Sequence, residues 1–213
     1  MTQVNPFRST HYLLSAHQLS QLPADTGYEV AIAGRSNAGK SSALNALTGQ
    51  KALARTSKTP GRTQQIIIFG VDGQRRIADL PGYGYARVSK ELREHWREML
   101  QAYFEQRQSL RGVVLVMDIR HPLKTFDTQM LAWCNASQIR CHVLLTKADK
   151  LKRGPAQATL LQVRRQLPGT ATAQVFSATR GEGLEQFVAR LCEWYELTSD
   201  RQDGTRDLQA DHL

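Results

Sequence analysis

The residues with the clearest chemistry lie near the N-terminus, where positions 34–41 read Gly-Arg-Ser-Asn-Ala-Gly-Lys-Ser. This segment fits the phosphate-loop pattern G-x-x-x-x-G-K-[ST], and it lies between an apolar run typical of a strand and a run typical of a helix. Its glycines let backbone N–H groups turn toward a phosphate, and the helix N-terminus adds the positive end of its dipole. Lys40 can reach the β- and γ-phosphates, and the Ser41 hydroxyl can ligate Mg²⁺. The segment therefore predicts a nucleoside triphosphate site.

A second motif follows another apolar run, where residues 79–82 read Asp-Leu-Pro-Gly. A carboxylate at the end of a strand can hold Mg²⁺ through its water shell, and the Gly82 N–H can meet a γ-phosphate. Taken alone the pattern D-x-x-G is weak, because Asp-x-Pro-Gly is also a common turn. The position of Asp79, 39 residues after Lys40, favours the magnesium interpretation.

Two later motifs point to the base of the nucleotide. Residues 146–149 read Thr-Lys-Ala-Asp, and Asp149 can accept hydrogen bonds from guanine N1–H and the 2-amino group, donors that adenine lacks. The stem of Lys147 can lie across the base. Residues 176–178 read Phe-Ser-Ala, and the Ala178 N–H can meet guanine O6. Because strand ends of an open α/β sheet line one edge, this order of motifs predicts one guanine nucleotide site.

Short apolar runs alternate with amphipathic segments, which predicts an α/β fold with helices on both faces of the sheet. We expect a mostly parallel six-stranded sheet with one antiparallel edge strand, because Asp72-Gly73 is a hairpin signal. The strands are expected at 29–33, 65–71, 75–79, 113–118, 141–146 and 174–177, and the helices at 40–47, 89–108, 125–137, 155–166 and 184–195. The chain then divides into an N-terminal extension (1–24), one domain (25–197) and a disordered polar tail (198–213).

Composition narrows the class of protein. The 213 residues carry 28 Lys and Arg against 19 Asp and Glu, and this net charge of +9 predicts attraction to RNA, DNA or acidic lipid without choosing among them. With 41% hydrophobic residues, wholesale disorder, collagen and coiled coil are excluded. No apolar run is long enough to span a bilayer. Residues 1–22 are polar and contain no continuous apolar stretch, so we expect them not to act as a secretory signal. The three cysteines form no metal motif and suit a reducing cytoplasm.

The particular residues in these motifs are more specific than the general patterns that they fit. Residues 34–42, the Thr-Pro-Gly-Arg-Thr-Gln run at 59–64, the Asp-Leu-Pro-Gly-Tyr-Gly-Tyr-Ala run at 79–86 and residues 146–151 closely resemble the EngB family of bacterial GTP-binding proteins. The resemblance implies a single P-loop GTPase domain that binds GTP and GDP with Mg²⁺. We expect a monomer in the bacterial cytoplasm. It further implies that the partner is the large ribosomal subunit or its rRNA, and that normal cell division and septation need the protein.

The resemblance also completes the expected site. It selects Thr63 as the switch threonine that joins Ser41 on Mg²⁺, with Asp79 acting through water. On the residues alone, the hydroxyls of Thr56, Ser57, Thr59 and Thr63 are equally good candidates. The expected nucleotide-binding residues are Gly34, Arg35, Ser36, Asn37, Ala38, Gly39, Lys40, Ser41, Ser42, Gly61, Arg62, Thr63, Gln64, Gln65, Asp79, Leu80, Pro81, Gly82, Thr146, Lys147, Ala148, Asp149, Phe176, Ser177 and Ala178.

The catalytic machinery is the weakest part of the pattern. Many GTPases place a water-orienting glutamine directly after the D-x-x-G glycine, and here that residue is Tyr83. We therefore expect slow intrinsic hydrolysis, with Lys40, Thr63 and Asn37 as the catalytic candidates. Asn37 would act by holding K⁺ near the phosphates, as in related GTPases; alternatively it is only a turn former. Tyr83 and Tyr85 are interpreted either as exposed aromatics that dock a partner or as core residues.

Other functions remain open on the sequence. One is a septation GTPase that acts through protein partners. Binding to division proteins that does not depend on salt would favour it, whereas binding that falls steeply with salt would favour rRNA. Another is a guanine-nucleotide-binding module that does not hydrolyse, which is consistent with Tyr83. A P-loop kinase is disfavoured, because the Thr-Lys-Ala-Asp motif would then lack a purpose.

Overall fold

A seven-stranded sheet organises the molecule, with strands in the spatial order β1-β3-β4-β2-β5-β6-β7. The computed structural model describes residues 5–54, 65–83 and 90–197. The strands are β1 (His11–Ala16), β2 (Tyr28–Gly34), β3 (Ile66–Gly70), β4 (Arg75–Asp79), β5 (Leu110–Asp118), β6 (Cys141–Thr146) and β7 (Thr172–Val175). The α-helices are α1 (Lys40–Thr48), α2 (Lys90–Gln106), α3 (Thr125–Ala136), α4 (Arg153–Gln166) and α5 (Leu184–Trp194). Short 3₁₀ turns cover Pro6–Ser9, Leu19–Gln21 and Ala148–Lys150.

The predicted count of six strands is wrong, because β1 was missed. This strand lies within the extension predicted over 1–24, yet it pairs antiparallel with β3, which in turn pairs antiparallel with β4. The strand of opposite direction is therefore β3, inside the sheet, and β1 forms the edge. Three consecutive residues from His11 are exposed, so β1 lacks the alternation that identifies a half-buried strand. Such a pattern is tolerated at an edge, where only one side is paired.

The other predicted elements are confirmed with small shifts. The bounds of β4 and β6 agree with the prediction, and β7 begins and ends two residues earlier than expected. Residues 55–64 and the expected tail at 198–213 lie outside the described residues. Within the described ranges, no helix has the length and apolar character needed to cross a bilayer.

Two apolar cores enclose the sheet. The first holds buried residues of α1 and α5 against one face, including Leu44, Leu47 and Phe187. The second holds buried residues of α2, α3 and α4 against the other face. The parallel strands β2, β5 and β6 are buried along nearly their whole length, as expected for a sheet covered on both faces. Helices on both faces leave only the strand ends accessible to a ligand.

At the N-terminal end of β2, the end of the sheet away from the phosphate-loop motif, a buried carboxylate joins several elements. Glu29 is fully buried and accepts hydrogen bonds from the Tyr103 hydroxyl (2.7 Å) and from Arg107 Nε and Nη2 (3.0 Å each). Arg76 Nε lies 3.4 Å from the same carboxylate. A charge out of water is tolerated only when it is paired and hydrogen-bonded. This Glu29 cluster ties β2 and β4 to the C-terminal end of α2.

We expect Glu29→Gln to lower the free energy of unfolding by about 3 kcal/mol, because Arg107 loses its buried charged partner. Urea denaturation monitored by circular dichroism measures this change. The matched control is Glu193→Gln, whose partner Arg190 lies in an exposed i,i+3 pair, and which should change stability by less than about 0.5 kcal/mol. Equal effects of the two substitutions would contradict the structural role given to the Glu29 cluster.

Candidate functional site

The phosphate loop connects the last residue of β2, Gly34, to the first residue of α1, Lys40. Asn37 (φ 60°) and Gly39 (φ 99°) adopt left-handed conformations, which turn the backbone between strand and helix. A Cβ at Gly34 would lie 2.6 Å from the Val116 carbonyl oxygen, so β5 leaves no room for a side chain there. The loop thus lies at the N-terminus of α1, where unpaired N–H groups and the helix dipole attract anions.

Lys40 and Asp79 bring opposite charges to the same place. The Lys40 ammonium forms an ion pair with Asp79 at the end of β4, and both side chains are at most 14% exposed. Ser41 lies next to Lys40 and lines the same cavity as Asp79. A hydroxyl and a carboxylate are hard oxygen ligands, and with waters and phosphate oxygens they form the donor set that Mg²⁺ prefers. The predicted residues Ser41 and Asp79 therefore fit a magnesium ion.

A large cavity of about 1110 Å³ opens above the phosphate loop. Ten of the predicted nucleotide-binding residues line it: Arg35, Ser36, Asn37, Gly39, Lys40, Ser41, Ser42, Asp79, Gly82 and Lys147. Sequence reasoning missed its other walls, which are Tyr12, Gln50, Lys51, Ala52, Leu53, Ala54, Ile67 and Phe69. These eight residues come from β1, from the connection between α1 and β3, and from β3. They are apolar or belong to no motif, so no sequence signal pointed to them.

A second cavity of about 290 Å³ adjoins the first, and Gly39, Ser42 and Lys147 line both. Its remaining walls are Thr146, Asp149, Phe176, Ala178 and Thr179, of which all but the last were predicted. Asp149 Oδ1 accepts a hydrogen bond from Ser177 Oγ at 2.7 Å, and this bond lowers the pKa of the Asp149 carboxyl below its ordinary value. An ionised, oriented carboxylate in this small cavity is suited to accept hydrogen bonds from the N–H edge of a base.

Contacts from the end of β6 hold the phosphate loop from behind. The buried Thr146 hydroxyl donates to the Ala38 carbonyl oxygen, and it also lies 3.0 Å from the Met117 carbonyl oxygen. The Lys147 ammonium donates to the Asn37 carbonyl oxygen at 2.6 Å. Thr146 therefore positions the loop rather than presenting its hydroxyl to a ligand, and Lys147 spans the junction of the two cavities.

Tyr83 is a core residue, and its interpretation as an exposed docking aromatic is wrong. Its ring is 6% exposed, and its hydroxyl donates to the buried carboxylate of Asp127 at 3.0 Å. Its backbone also pairs with the phosphate loop, since the Ser36 N–H donates to the Tyr83 carbonyl oxygen at 2.9 Å. Burial raises the pKa of Asp127 despite the bonds from Lys124 N–H and Tyr83. Tyr85 lies outside the described residues.

The remaining predicted residues fall into three groups. Gly61, Arg62, Thr63 and Gln64 lie outside the described residues. Gln65 is described, and its side-chain Nε2 lies 2.5 Å from His17 Nε2. Gly34, Ala38, Leu80, Pro81, Ala148 and Ser177 are buried beneath the two cavities and support their walls. Asp118, a carboxylate at the end of β5, was missed, although its place after a buried strand is the signal that identified Asp79.

The order of strands together with these four motifs at one sheet edge defines a P-loop GTPase domain. In agreement, the profile of a family described as 50S ribosome-binding GTPase matches residues 29–147. The chain belongs to the EngB family of GTP-binding proteins. It is 55% identical over 197 residues to a probable GTP-binding protein EngB of Xylella fastidiosa, covering 91% of this chain and 97% of the relative. An EngB of Escherichia coli is 50% identical over 210 residues, covering 96% of this chain and all of the relative.

Solved structures show the same fold. The crystal structure of a probable GTP-binding protein EngB superposes with a TM-score of 0.65 at 24% identity, covering 79% of this chain and 99% of that one. Aquifex aeolicus Era bound to GDP and aluminium fluoride superposes with a TM-score of 0.61 at 20% identity, covering 79% of this chain and 57% of that one. The EngB assignment rests on the close relatives, and these two structures add the fold.

We expect Asp149→Asn to weaken GTP and GDP binding by at least about a hundredfold, because the variant loses two charge-assisted hydrogen bonds of about 1.5–3 kcal/mol each. Xanthine carries a carbonyl at C2, so the new amide should bind XDP better than GDP. Titration with fluorescent nucleotides measures both affinities. Asp72→Asn is the matched control, because Asp72 lies in the β3–β4 turn, outside the residues that line the two cavities. Unchanged GDP affinity in the Asp149 variant would place the base elsewhere.

Proposed function

We propose that this protein is a monomeric GTP-dependent switch that hydrolyses GTP slowly and serves assembly of the large ribosomal subunit in the bacterial cytoplasm, with normal cell division and septation depending on it. The observation that carries the nucleotide part is the convergence of Lys40, Asp79 and Asp149 on two adjoining cavities. The ribosomal part is supported by the description of the matching family and by the net charge of +9, which favours rRNA.

The phosphates bind at the N-terminus of α1. Backbone N–H groups of the loop and the Lys40 ammonium would surround them. Ser41 and Asp79, the latter through water, would hold Mg²⁺ together with Thr63, which the family resemblance selects. When bound, Mg²⁺ neutralises charge that develops on the phosphate oxygens. Lys40 pairs with Asp79 in the absence of ligand. When nucleotide and Mg²⁺ bind, Lys40 can turn to a phosphate and Asp79 to the hydrated metal, so neither buried charge is left alone.

The guanine base occupies the smaller cavity. The Asp149 carboxylate accepts from N1–H and the 2-amino group, and the Ser177 hydroxyl fixes the orientation of that carboxylate. The Ala178 N–H donates to O6, and the Lys147 stem covers one face of the ring. Specificity for guanine follows, because adenine would leave Asp149 without donors.

Slow hydrolysis follows from the fixed position of Tyr83. Its hydroxyl is committed to Asp127 inside the core, so it is not available to orient an attacking water. Asn37 is exposed in the large cavity, beside the place of the phosphates, and its side chain is our candidate K⁺ ligand. A cation held there would supply the charge that other GTPases obtain from an arginine.

Hydrogen bonds fix the chain at Ala54 and at Tyr83, the last described residues before 55–64 and 84–89. Asn45 of α1 accepts from the Ala54 N–H at 2.8 Å and donates to the Ala54 carbonyl oxygen at 3.0 Å, directly before residue 55. Tyr83 is bonded to the phosphate loop directly before residue 84. Ala54 and Gly82 both line the large cavity, so these two fixed points adjoin the place proposed for the γ-phosphate.

We expect GTP hydrolysis to run several-fold faster in KCl than in NaCl at equal ionic strength. Asn37→Ala should abolish the difference while leaving GDP binding within about threefold of the wild type. Phosphate release at saturating GTP measures both rates. Equal rates of the wild type in the two salts would remove Asn37 as a K⁺ ligand.

Sedimentation of the protein with bacterial lysate tests the ribosomal role. We expect co-migration with large-subunit particles in the presence of a non-hydrolysable GTP analogue, less with GDP, and a steep decrease as salt rises. Asp149→Asn, given the same GTP analogue, is the control that should not co-migrate. Absence from ribosomal fractions with all nucleotides would contradict the ribosomal role and favour protein partners in septation. Failure to hydrolyse GTP with ribosomes and K⁺ would leave only a nucleotide-binding module.

A further inference from the structure

Four strands that end at the site edge, β2, β4, β6 and β7, carry a recognised motif. Strand β5 ends at the same edge between two of them, and its last residue is Asp118. Asp118 lies between the phosphate-loop strand β2 and the base-recognition strand β6, where it is in register with Thr146. Its side chain is only 13% exposed. Asp118 is therefore a largely buried carboxylate at the centre of the site edge, and none of the four motifs gives it a role in phosphate or base recognition.

The Asp118 carboxylate is fully engaged. Arg120 Nε donates to Oδ1 at 2.9 Å and Arg120 Nη2 to Oδ2 at 2.6 Å, while the Arg120 backbone N–H donates to Oδ1 at 3.0 Å. The Lys147 ammonium lies 3.0 Å from Oδ2. Burial opposes ionisation, but these bonds hold the pKa of Asp118 well below its ordinary value, so the group is an anion at neutral pH.

Lys147 is thereby anchored at two points. Its ammonium donates to the Asn37 carbonyl oxygen at 2.6 Å and pairs with Asp118 on the other side. Its backbone is left-handed (φ 59°), so the chain turns directly after β6. The Lys147 side chain lines both cavities at their junction. Ordering a free lysine side chain costs conformational entropy, and fixing its end before a ligand arrives removes that cost from binding.

We infer that Asp118 is a positioning residue for guanine nucleotide binding, which holds the Lys147 stem in place as a ready-made wall for the base. This inference rests on the guanine site proposed above. Arg120 belongs to the same network: its guanidinium donates to both Asp118 oxygens, and it shares Oδ2 with the Lys147 ammonium. Asp118 does not itself touch the nucleotide, and its effect passes through Lys147.

The contacts of Asp118 predict that its loss affects nucleotide binding and not hydrolysis. The wall serves the base, which GDP and GTP share, so loss of Asp118 weakens both nucleotides by the same factor. The phosphates and Mg²⁺ are held by α1 and β4, so the chemical step is unaffected. A merely structural role would instead lower the melting temperature without this division between binding and hydrolysis.

We expect Asp118→Asn to release a fluorescent GDP analogue about tenfold faster than the wild type, with equal rises in Kd for GDP and GTP. Single-turnover hydrolysis of pre-bound GTP should stay within twofold. Arg120→Gln is the matched control, because it removes a partner of Asp118 and leaves the Asp118–Lys147 pair intact; it should change release by less than threefold. Asp118→Ser provides a second neutral variant if the asparagine variant is not folded by circular dichroism.

Lys147→Met completes the experiment, because it keeps the stem and removes the ammonium. In that background, adding Asp118→Asn should have no further effect on release. Additive effects of the two substitutions, or wild-type release by both neutral Asp118 variants, would overturn the inference while leaving the guanine site intact. If the wild type itself binds no guanine nucleotide, the proposed function and this inference fail together.

Discussion

Parallel pairing is the constraint on which the rest of the structure depends. Because β2 pairs in parallel with both β4 and β5, and β5 with β6, their carboxyl ends meet at one edge. Helices cover both faces, so this edge is where a polar ligand can enter. Gly34, Asp79, Asp118 and Thr146 are neighbours for this reason, although they lie far apart in the chain. At the opposite end of the sheet, the Glu29 cluster ties two of these strands, β2 and β4, to α2.

Short polar contacts between strand ends convert this edge into a site. Lys40 of α1 meets Asp79 of β4, and Lys147 after β6 meets the carbonyl oxygen of Asn37 and the carboxylate of Asp118. Each contact joins elements that different parts of the sequence supply. The phosphate loop is thereby supported from the ends of β4 and β6, which preorganises it for a polyanion.

The sequence was sufficient wherever chemistry requires a fixed residue at a fixed spacing. The phosphate loop, Asp79 and Asp149 were predicted because glycines, a lysine and strand-end carboxylates leave few alternatives. Properties that depend on tertiary contacts were not readable. Edge pairing of β1 is not visible in three successive exposed residues, and the burial of Tyr83 depends on Asp127, which lies 44 residues away. The contacts of Asp118 require knowing that β5 lies beside β6, which only the sheet order supplies.

A crystal structure of the protein with Mg²⁺ and a non-hydrolysable GTP analogue tests the central claim most directly. The account predicts the β-phosphate at the N-terminus of α1, Ser41 on the metal, and the guanine edge on Asp149 with Lys147 across the ring. A base bound outside the cavity formed by Thr146, Asp149, Phe176 and Ala178, or phosphates that do not contact the loop at 34–41, would contradict it.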